Sequence, residues 1–328
     1  MKRSILPIFI PHLGCPWSCI FCDQKQIAAP HVPTPDEVAK IVEDGLRYAK
    51  HPQISFYGGS FTAIPRAAMI GYLEAAAPYI RSGACHSIRL STRPDAIDDE
   101  VLGILKAYGV QTIELGAQSM RDAVLQKAGR GHLAEDTVRA SGLIRSHGFE
   151  LILQMMVGLP GSSREDEMAA AHALCGLQPD GVRIYPTCVL EHTPLCDLYR
   201  RGDYIPLTVD QAVEICCDLS EIFDRAGIPI IRMGLNPTED LSNGAVAAGP
   251  YHPAFGELVM GERFYRAMLP QIPEKGIPYE IVVPPKMLSA AIGQQKRNLR
   301  RFSAVSDIDS IRMEKACTAP EIRILESD

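Results

Sequence analysis

Residues 151–176, LILQMMVGLPGSSREDEMAAAHALCG, contain the pattern that decides the fold. The apolar run at Leu151–Val157 predicts a buried strand, because it is short, rich in large apolar side chains and followed by glycine and proline. Gly158-Leu-Pro-Gly161 predicts a tight turn, and Ser163–Gly176 predicts a helix after it. The segment is therefore a strand–turn–helix unit of an α/β protein.

The same unit repeats along the chain. Further strands are predicted at Ile5–Ile10, Ile54–Tyr57, Ser87–Ser91, Thr112–Gly116 and Gly181–Tyr185. Further helices are predicted at Pro35–Lys50, Ala67–Ile80, Asp98–Tyr108, Ala134–His147 and Val209–Ala226, and another apolar run follows at Ile228–Met233. This alternation predicts a parallel sheet with helices outside. Six units are too few for a closed eight-stranded barrel, so we expect a partial (βα)6 TIM-type barrel whose site lies at the carboxyl ends of the strands.

A change of pattern near residue 235 predicts the end of the barrel. Proline and glycine become frequent and a shorter β/α mixture follows, so we expect a core domain at 1–235 and a small α+β extension at 236–328. The net charge of −6 argues against polyanion binding over the whole surface. No apolar run approaches the roughly 20 residues of a membrane helix. We expect a cytoplasmic protein without a cleaved signal.

Three of the ten cysteines are tightly spaced: Cys15, Cys19 and Cys22, in the stretch CPWSCIFC after the first predicted strand. Such spacing indicates a metal or redox site rather than a disulfide framework. Three thiolates can hold three corners of a [4Fe–4S] cluster, which leaves the fourth iron open to the amino and carboxylate groups of S-adenosylmethionine. Phe21 would help to close such a pocket over the adenine.

A structural zinc site is the alternative interpretation of this loop. His12 or His31 would then supply a fourth ligand. Zinc sites usually pair two short Cys or His spacings, and the sequence has no second pair of this kind. The spacing therefore favours the cluster.

With these motifs the sequence resembles the radical S-adenosylmethionine (SAM) superfamily, whose signature is a C-x3-C-x-aromatic-C loop. The likeness is strongest to the catalytic subunit of Elongator and its prokaryotic relatives, and weaker to oxygen-independent coproporphyrinogen oxidase. It rests on the stretches FYGGSFT at 56–62, ELGAQS at 114–119, MVGLPG at 156–161 and RIYPT at 183–187. The resemblance implies reductive cleavage of SAM at a [4Fe–4S] cluster to a 5′-deoxyadenosyl radical.

The resemblance also implies a tRNA partner with wobble-uridine chemistry, and an external electron donor such as flavodoxin or ferredoxin. We expect no acetyltransferase domain, because the sequence ends too early to contain one. The carboxymethylation chemistry of the Elongator family therefore does not simply transfer. Two alternatives stay open: a radical enzyme acting on a tetrapyrrole or another small metabolite, and a non-catalytic iron–sulfur or zinc protein that binds RNA.

Several residues after the predicted strands acquire roles from the resemblance. Gly58, Gly59 and Ser60 form the loop that contacts the amino group of SAM, and Ser60 stands where the third residue is often acidic. Glycines at this place also let the backbone approach a ligand, or simply form a turn. Gln118 corresponds to a contact with the ribose hydroxyls, for which a carboxamide offers both a donor and an acceptor.

Three further positions complete the implied SAM pocket. Arg130 corresponds to the residue that pairs with the methionine carboxylate, a bond that suits a guanidinium, although an isolated arginine could be a solvated helix residue. Gln154 corresponds to an acidic ribose contact of the coproporphyrinogen enzymes, or it satisfies a polar group inside the barrel. Gly158 shapes the adenine site through its backbone, or only forms the turn.

The segment Lys286–Arg301, KMLSAAIGQQKRNLRR, carries five positive charges and no negative charge. It resembles the I-G-x-x-x-x-N stretch of KH-type RNA-binding modules, whose glycine loop clamps the nucleic-acid backbone. The loop at 293–296 lacks the second glycine, and a solvated basic helix face is the alternative. Other polar candidates near the barrel mouth are Tyr185, Thr187, Arg232, Asn236, His252 and Glu257.

Overall fold

The computed structural model describes residues 4–15, 19–23, 31–236, 241 and 244–325. Its strands are β1 (Ile5–Phe9), β2 (Gln53–Tyr57), β3 (Ser87–Thr92), β4 (Val110–Gln118), β5 (Glu150–Val157), β6 (Gly181–Pro186), β7 (Val189–Leu190), β8 (Ile230–Met233), β9 (Val246–Ala248), β10 (Tyr279–Val283), β11 (Ile308–Met313) and β12 (Glu321–Ile324).

The central sheet has seven strands in the order β1-β2-β3-β4-β5-β6-β8, and every neighbouring pair is parallel. The predicted partial barrel is confirmed, with one strand more than the six predicted units. The additional strand β8 forms from the apolar run that follows the helix Val209–Arg225. The short strands β7 and β9 pair antiparallel beside this sheet.

Helices connect the strands on the outer face of the sheet. They span Pro35–Leu46, Arg66–Arg81, Asp99–Ala107, Asp122–Lys127, Ala134–Ser146, Arg164–Gly176, Pro194–Arg201, Val209–Arg225, Phe255–Met268, Leu288–Ile292 and Arg297–Val305. The two short helices Asp122–Lys127 and Pro194–Arg201 were not predicted. None of the helices in the described residues is long and apolar enough to cross a membrane.

Side chains alternate between the two faces of each strand, and this separates the core from the barrel interior. In β6, Val182 and Ile184 are fully buried in the main hydrophobic cluster, while Arg183 and Tyr185 point into the barrel. The same alternation buries Phe56 and turns Tyr57 inward in β2. The apolar face therefore holds the helices, and the polar face is left for a site.

The C-terminal extension has a sheet of its own. Strand β10 pairs parallel with β11 and antiparallel with β12. A separate hydrophobic cluster there includes Tyr265, Tyr279 and Phe302. The helix Phe255–Met268 contributes to both clusters, since Phe255 and Val259 pack in the main core. The predicted domain division at 235/236 lies before this shared helix and stays a prediction.

Candidate active site

A cavity of about 490 Å³ opens at the carboxyl ends of the strands, where the fold predicts the site. The structure brings together residues that are far apart in the sequence. The predicted site residues that line the cavity are Cys15, Cys19, Cys22, Gly58, Gly59, Ser60, Gln118, Arg130 and Gln154. The other two predicted residues, Phe21 and Gly158, are not among the described lining residues.

The cysteine loop reaches the cavity between the ends of β1 and β4. The Cys15 thiol lies 3.5 Å from the Ser60 hydroxyl, and the Cys19 thiol accepts a hydrogen bond of 3.3 Å from Nη1 of Arg130. The backbone N–H of Cys22 donates to the Cys19 carbonyl at 3.1 Å. All three cysteines line the same cavity.

The alternative zinc site would draw a fourth ligand from a histidine. His12 and His31 contact Asp23 and Glu37, and neither histidine lines the cavity.

The loops after β1 and β2 interlock, and this explains two of the glycines. A Cβ atom on Gly59 would lie 2.4 Å from the Leu13 carbonyl oxygen, and one on Gly14 would lie 2.3 Å from the Ser60 carbonyl oxygen. The Ser60 N–H donates to the Leu13 carbonyl at 2.8 Å. Gly59 is therefore required for the close approach of one loop to the other, which places Ser60 beside Cys15.

Two glutamines form a pair on the opposite wall. Gln154 Nε2 donates to Gln118 Oε1 at 3.2 Å. Gln118 has a left-handed backbone with a φ of 63°, and the register between β4 and β5 shifts at this residue. The irregularity turns the Gln118 side chain into the cavity and leaves its Nε2 and the Gln154 Oε1 for a ligand.

Arg130 lies between the cysteine loop and the end of β4. Its Nη2 donates to the Gly116 carbonyl at 2.7 Å, while its buried Nε has no hydrogen-bond partner within the described part of the chain. Arg93, which was not predicted from the sequence, holds the backbone of Arg130. The Arg93 Nη2 donates to the Arg130 carbonyl at 2.6 Å, and Arg93 also pairs with Asp95. Arg130 is thus held through its side chain and its carbonyl, and its buried Nε–H is left without a described acceptor.

Phe21 and Gly158 lie in the apolar layer behind the cysteine loop. Phe21 packs on clusters that include Tyr204 and Leu159. The Gly158 N–H donates to Glu167 Oε1 at 2.5 Å, and its carbonyl accepts a bond of 2.6 Å from the Tyr204 hydroxyl. Burial raises the pKa of Glu167 to about 7. The adenine contacts of both residues stay predictions.

The floor of the cavity is an ionic network that the sequence did not reveal. Glu114 Oε1 accepts from Arg89 Nη1 at 2.8 Å, from Arg183 Nη2 at 3.0 Å and from the Tyr57 hydroxyl at 3.1 Å. Its Oε2 lies 2.8 Å from Arg183 Nε. Burial and the neighbouring Glu114 carboxylate raise the pKa of Tyr57, so the phenol stays protonated.

The polar candidates at the mouth divide into two groups. Tyr185, Arg232 and Asn236 line the cavity. Thr187, His252 and Glu257 do not: Thr187 is buried, His252 accepts a bond from the Ala254 N–H at 3.1 Å, and Glu257 accepts from Gln294 at 3.3 Å. Only the first group could touch a substrate in the cavity.

Comparison with protein families identifies this architecture. The model of the radical SAM superfamily matches residues 9–174, half of the chain, and that of the radical SAM C-terminal domain matches residues 179–264. The chain belongs to the radical SAM superfamily. It is accordingly an enzyme whose cofactors are a [4Fe–4S] cluster and SAM. The residues of the cavity suit both cofactors, since three thiols and an incompletely bonded guanidinium face it together.

Two named relatives match part of this chain. The tRNA uridine(34) acetyltransferase of Methanocaldococcus jannaschii is 32% identical over 134 residues, which is 40% of this chain and 25% of that protein. Human Elongator complex protein 3 is 29% identical over 134 residues, 40% of this chain and 24% of the relative. The chain thus matches about a quarter of the length of these relatives.

A solved structure supports the same relationship at the level of the fold. The archaeal Methanocaldococcus infernus Elp3 with an N-terminal deletion superposes with a TM-score of 0.62 at 20% identity, and covers 82% of this chain and 63% of that one. At this identity the match shows the fold alone. Together with the two relatives, it confirms the predicted likeness to the Elongator-like group.

Proposed function

We propose that this radical SAM enzyme modifies a uridine base of tRNA. The observation that carries the proposal is the division of its cavity, which has cysteines at one end and two arginines and a tyrosine along the wall of β6 and β8. A cavity of about 490 Å³ with this lining suits a nucleoside cosubstrate beside a second polar ligand. The named tRNA-modifying relatives support the choice of substrate.

In this proposal the residues of the cavity bind and orient the cofactors. Cys15, Cys19 and Cys22 hold the cluster, and Arg130 uses its free Nε–H to bind the methionine carboxylate. Gln118 and Gln154 bind the ribose hydroxyls as a preformed amide pair. A cluster held there would supply one-electron reduction of SAM, whose cleavage would give methionine and a 5′-deoxyadenosyl radical. An external donor such as flavodoxin or ferredoxin supplies that electron, in the cytoplasm.

The C-terminal extension supplies an RNA-binding surface in this proposal. Of the five basic residues in the predicted segment, two are held by other side chains. Arg297 pairs with Asp210 at 2.7 Å, and Arg301 pairs with Glu262 and stacks on the Tyr265 ring at 3.5 Å. Lys286, Lys296 and Arg300 are exposed, and the described residues offer them no ion-pair partner. These three side chains are the ones free to contact phosphates.

The loop between the two short helices agrees with a phosphate-binding role. Gly293, Gln295 and Lys296 have φ angles of 71°, 51° and 62°. The loop is fixed by Asn298, whose buried Nδ2 donates to the carbonyls of Gly261 and Ala290 at 2.7 and 3.0 Å. The asparagine of the KH-like stretch is therefore structural, and Lys296 is presented to solvent at the loop's end.

Changing Lys286, Lys296 and Arg300 together to Gln should weaken tRNA binding and its dependence on salt. Each lost phosphate contact lowers the slope of log affinity against log salt by about 0.7–0.9, so we expect the slope to fall by about 2–3. Filter binding at several salt concentrations measures it. Lys40, Lys50 and Arg81 changed to Gln remove the same charge from exposed sites elsewhere and should leave the slope unchanged. An equal effect of both triple variants would contradict this surface.

The modification itself is tested with anaerobically reconstituted protein, dithionite, SAM and total tRNA, followed by mass spectrometry of the nucleosides. We expect a uridine derivative that requires SAM and reductant, together with 5′-deoxyadenosine. Formation of 5′-deoxyadenosine with no change in any tRNA nucleoside would refute the tRNA substrate. A tetrapyrrole or another small metabolite would then be the substrate to examine.

A further inference from the structure

Two arginines lie side by side on the cavity wall beyond the proposed SAM contacts. Arg183 of β6 and Arg232 of β8 are partners in the parallel register, and both side chains line the cavity. Neighbouring strands lie about 4.8 Å apart. Like charges in facing positions destabilise a sheet unless an anion compensates them. The pair therefore raises the question of what balances its charge.

Within the described residues, Arg183 has a carboxylate partner and Arg232 has none. Arg183 is bound to Glu114 through both carboxylate oxygens, with the shortest distance 2.8 Å. Arg232 donates from Nε to the Gly234 carbonyl at 3.0 Å and from Nη2 to the Leu235 carbonyl at 3.1 Å. A guanidinium has five N–H groups. Three of those on Arg232 thus have no acceptor within the described residues.

The charges of the cavity confirm this imbalance. Glu114 is the one carboxylate among the described lining residues, and it already binds Arg89 and Arg183. Arg130, whose Nε has no partner among the described residues, lies at the cysteine loop and donates to Cys19. Arg232 therefore adds a positive charge to a part of the cavity that holds no described anion.

The position of Arg232 separates it from the proposed SAM contacts. Gln154 is the register partner of Arg183, and Arg183 is the partner of Arg232. Arg232 is thus two strands from Gln154, about 10 Å at the usual strand spacing. An anion bound there belongs to a molecule next to SAM.

We propose that Arg232, with Arg183 behind it, forms an anion subsite that binds a phosphate group of the nucleotide whose base is modified. The inference rests on the proposed function and adds how its substrate is held. Two N–H groups of one guanidinium can bind two phosphate oxygens at once. The fixed subsite would place the base of that nucleotide toward the SAM end of the cavity.

The test compares uridine 5′-monophosphate with uridine, each titrated calorimetrically into reconstituted protein saturated with SAM. The parent protein should bind the monophosphate about tenfold or more tighter than uridine, as a charge-assisted bidentate pair provides. Arg232→Gln should bring the two affinities to within about threefold, while Arg232→Lys keeps part of the preference. Arg225→Gln, which removes an exposed arginine paired with Glu221, should leave the preference unchanged.

Each other outcome overturns the subsite. The first is equal affinity of the parent protein for the monophosphate and for uridine. The second is an unchanged preference in Arg232→Gln. The third is an equal loss of preference in Arg232→Gln and Arg232→Lys, which would mean that Arg232 acts only through its bonds to Gly234 and Leu235. The subsite and the tRNA function can fail separately. If the preference for the monophosphate depends on Arg232 but the protein leaves tRNA unmodified, the subsite is retained and tRNA is refuted as the substrate. If the protein modifies tRNA but its preference for the monophosphate does not depend on Arg232, the proposed function is retained and the subsite is refuted.

Discussion

Replacing Cys15, Cys19 and Cys22 together by alanine is expected to abolish both iron binding and the formation of 5′-deoxyadenosine. All three thiols line one cavity, and a cubane cluster with a single open iron requires three protein thiolates. The parent protein should bind about four irons per chain after anaerobic reconstitution, and the triple variant none. Iron and sulfide analysis, with the electron paramagnetic resonance spectrum of the reduced protein, measures the difference.

The chain offers a matched control, because it has other free cysteines outside the cavity. Cys85, Cys175 and Cys317 do not line it. The variant with these three changed to alanine should retain the iron content and the cleavage of SAM. If the parent protein purified without oxygen contained stoichiometric zinc and no iron, the cluster assignment would be wrong for these cysteines.

The sequence predicted the barrel well because its strands are apolar and locally bounded. Five of the six predicted strands begin and end within one residue of the observed strands, and only β4 is two residues longer at each end. The seventh strand was visible as an apolar run, but a run of this length does not reveal which sheet it joins. The short helices at 122–127 and 194–201 were missed because six to eight residues carry too little periodicity.

The sequence predicted the site residues whose type suits one position in a motif. It did not predict the ion pairs that form between side chains of different strands. Gly59 was found, and the structure adds the close approach of the Leu13 carbonyl as a reason for glycine at this position, while its contact with a ligand stays a prediction. The bonds of Glu114 to Arg89 and Arg183 join residues 25 and 69 positions away. No local pattern contains such pairs, because they depend on the register of three parallel strands.

The basic segment Lys286–Arg301 also forms ion pairs that could not be predicted from the sequence. Its five charges suggested one surface, yet Arg297 pairs with Asp210 on the helix Val209–Arg225 and Arg301 pairs with Glu262 on the helix Phe255–Met268. The sequence could show the excess of charge, but not which charges the fold had already paired. Only the three exposed side chains remain for a partner.

Glu114→Gln is expected to lower the free energy of unfolding by about 3–5 kcal/mol, the cost of leaving a buried ionic partner uncompensated. Glu114 is 3% exposed, so water cannot replace the lost charge. Arg183 would lose its described carboxylate partner, while Arg89 would keep Glu150 at 3.8 Å as its one carboxylate among the described residues. Denaturant unfolding of the protein without cofactors measures the change.

Two further variants separate the charge argument from simple loss of packing. Arg183→Met should cost less than Glu114→Gln, because it leaves Glu114 bound to Arg89 and Tyr57 and removes one of two competing positive charges. Glu221→Gln breaks an exposed pair with Arg225 and should change stability by less than about 0.5 kcal/mol. A loss of similar size in all three variants would show that the floor of the cavity is not an ionic network, since burial and charge balance would then have no effect on the cost.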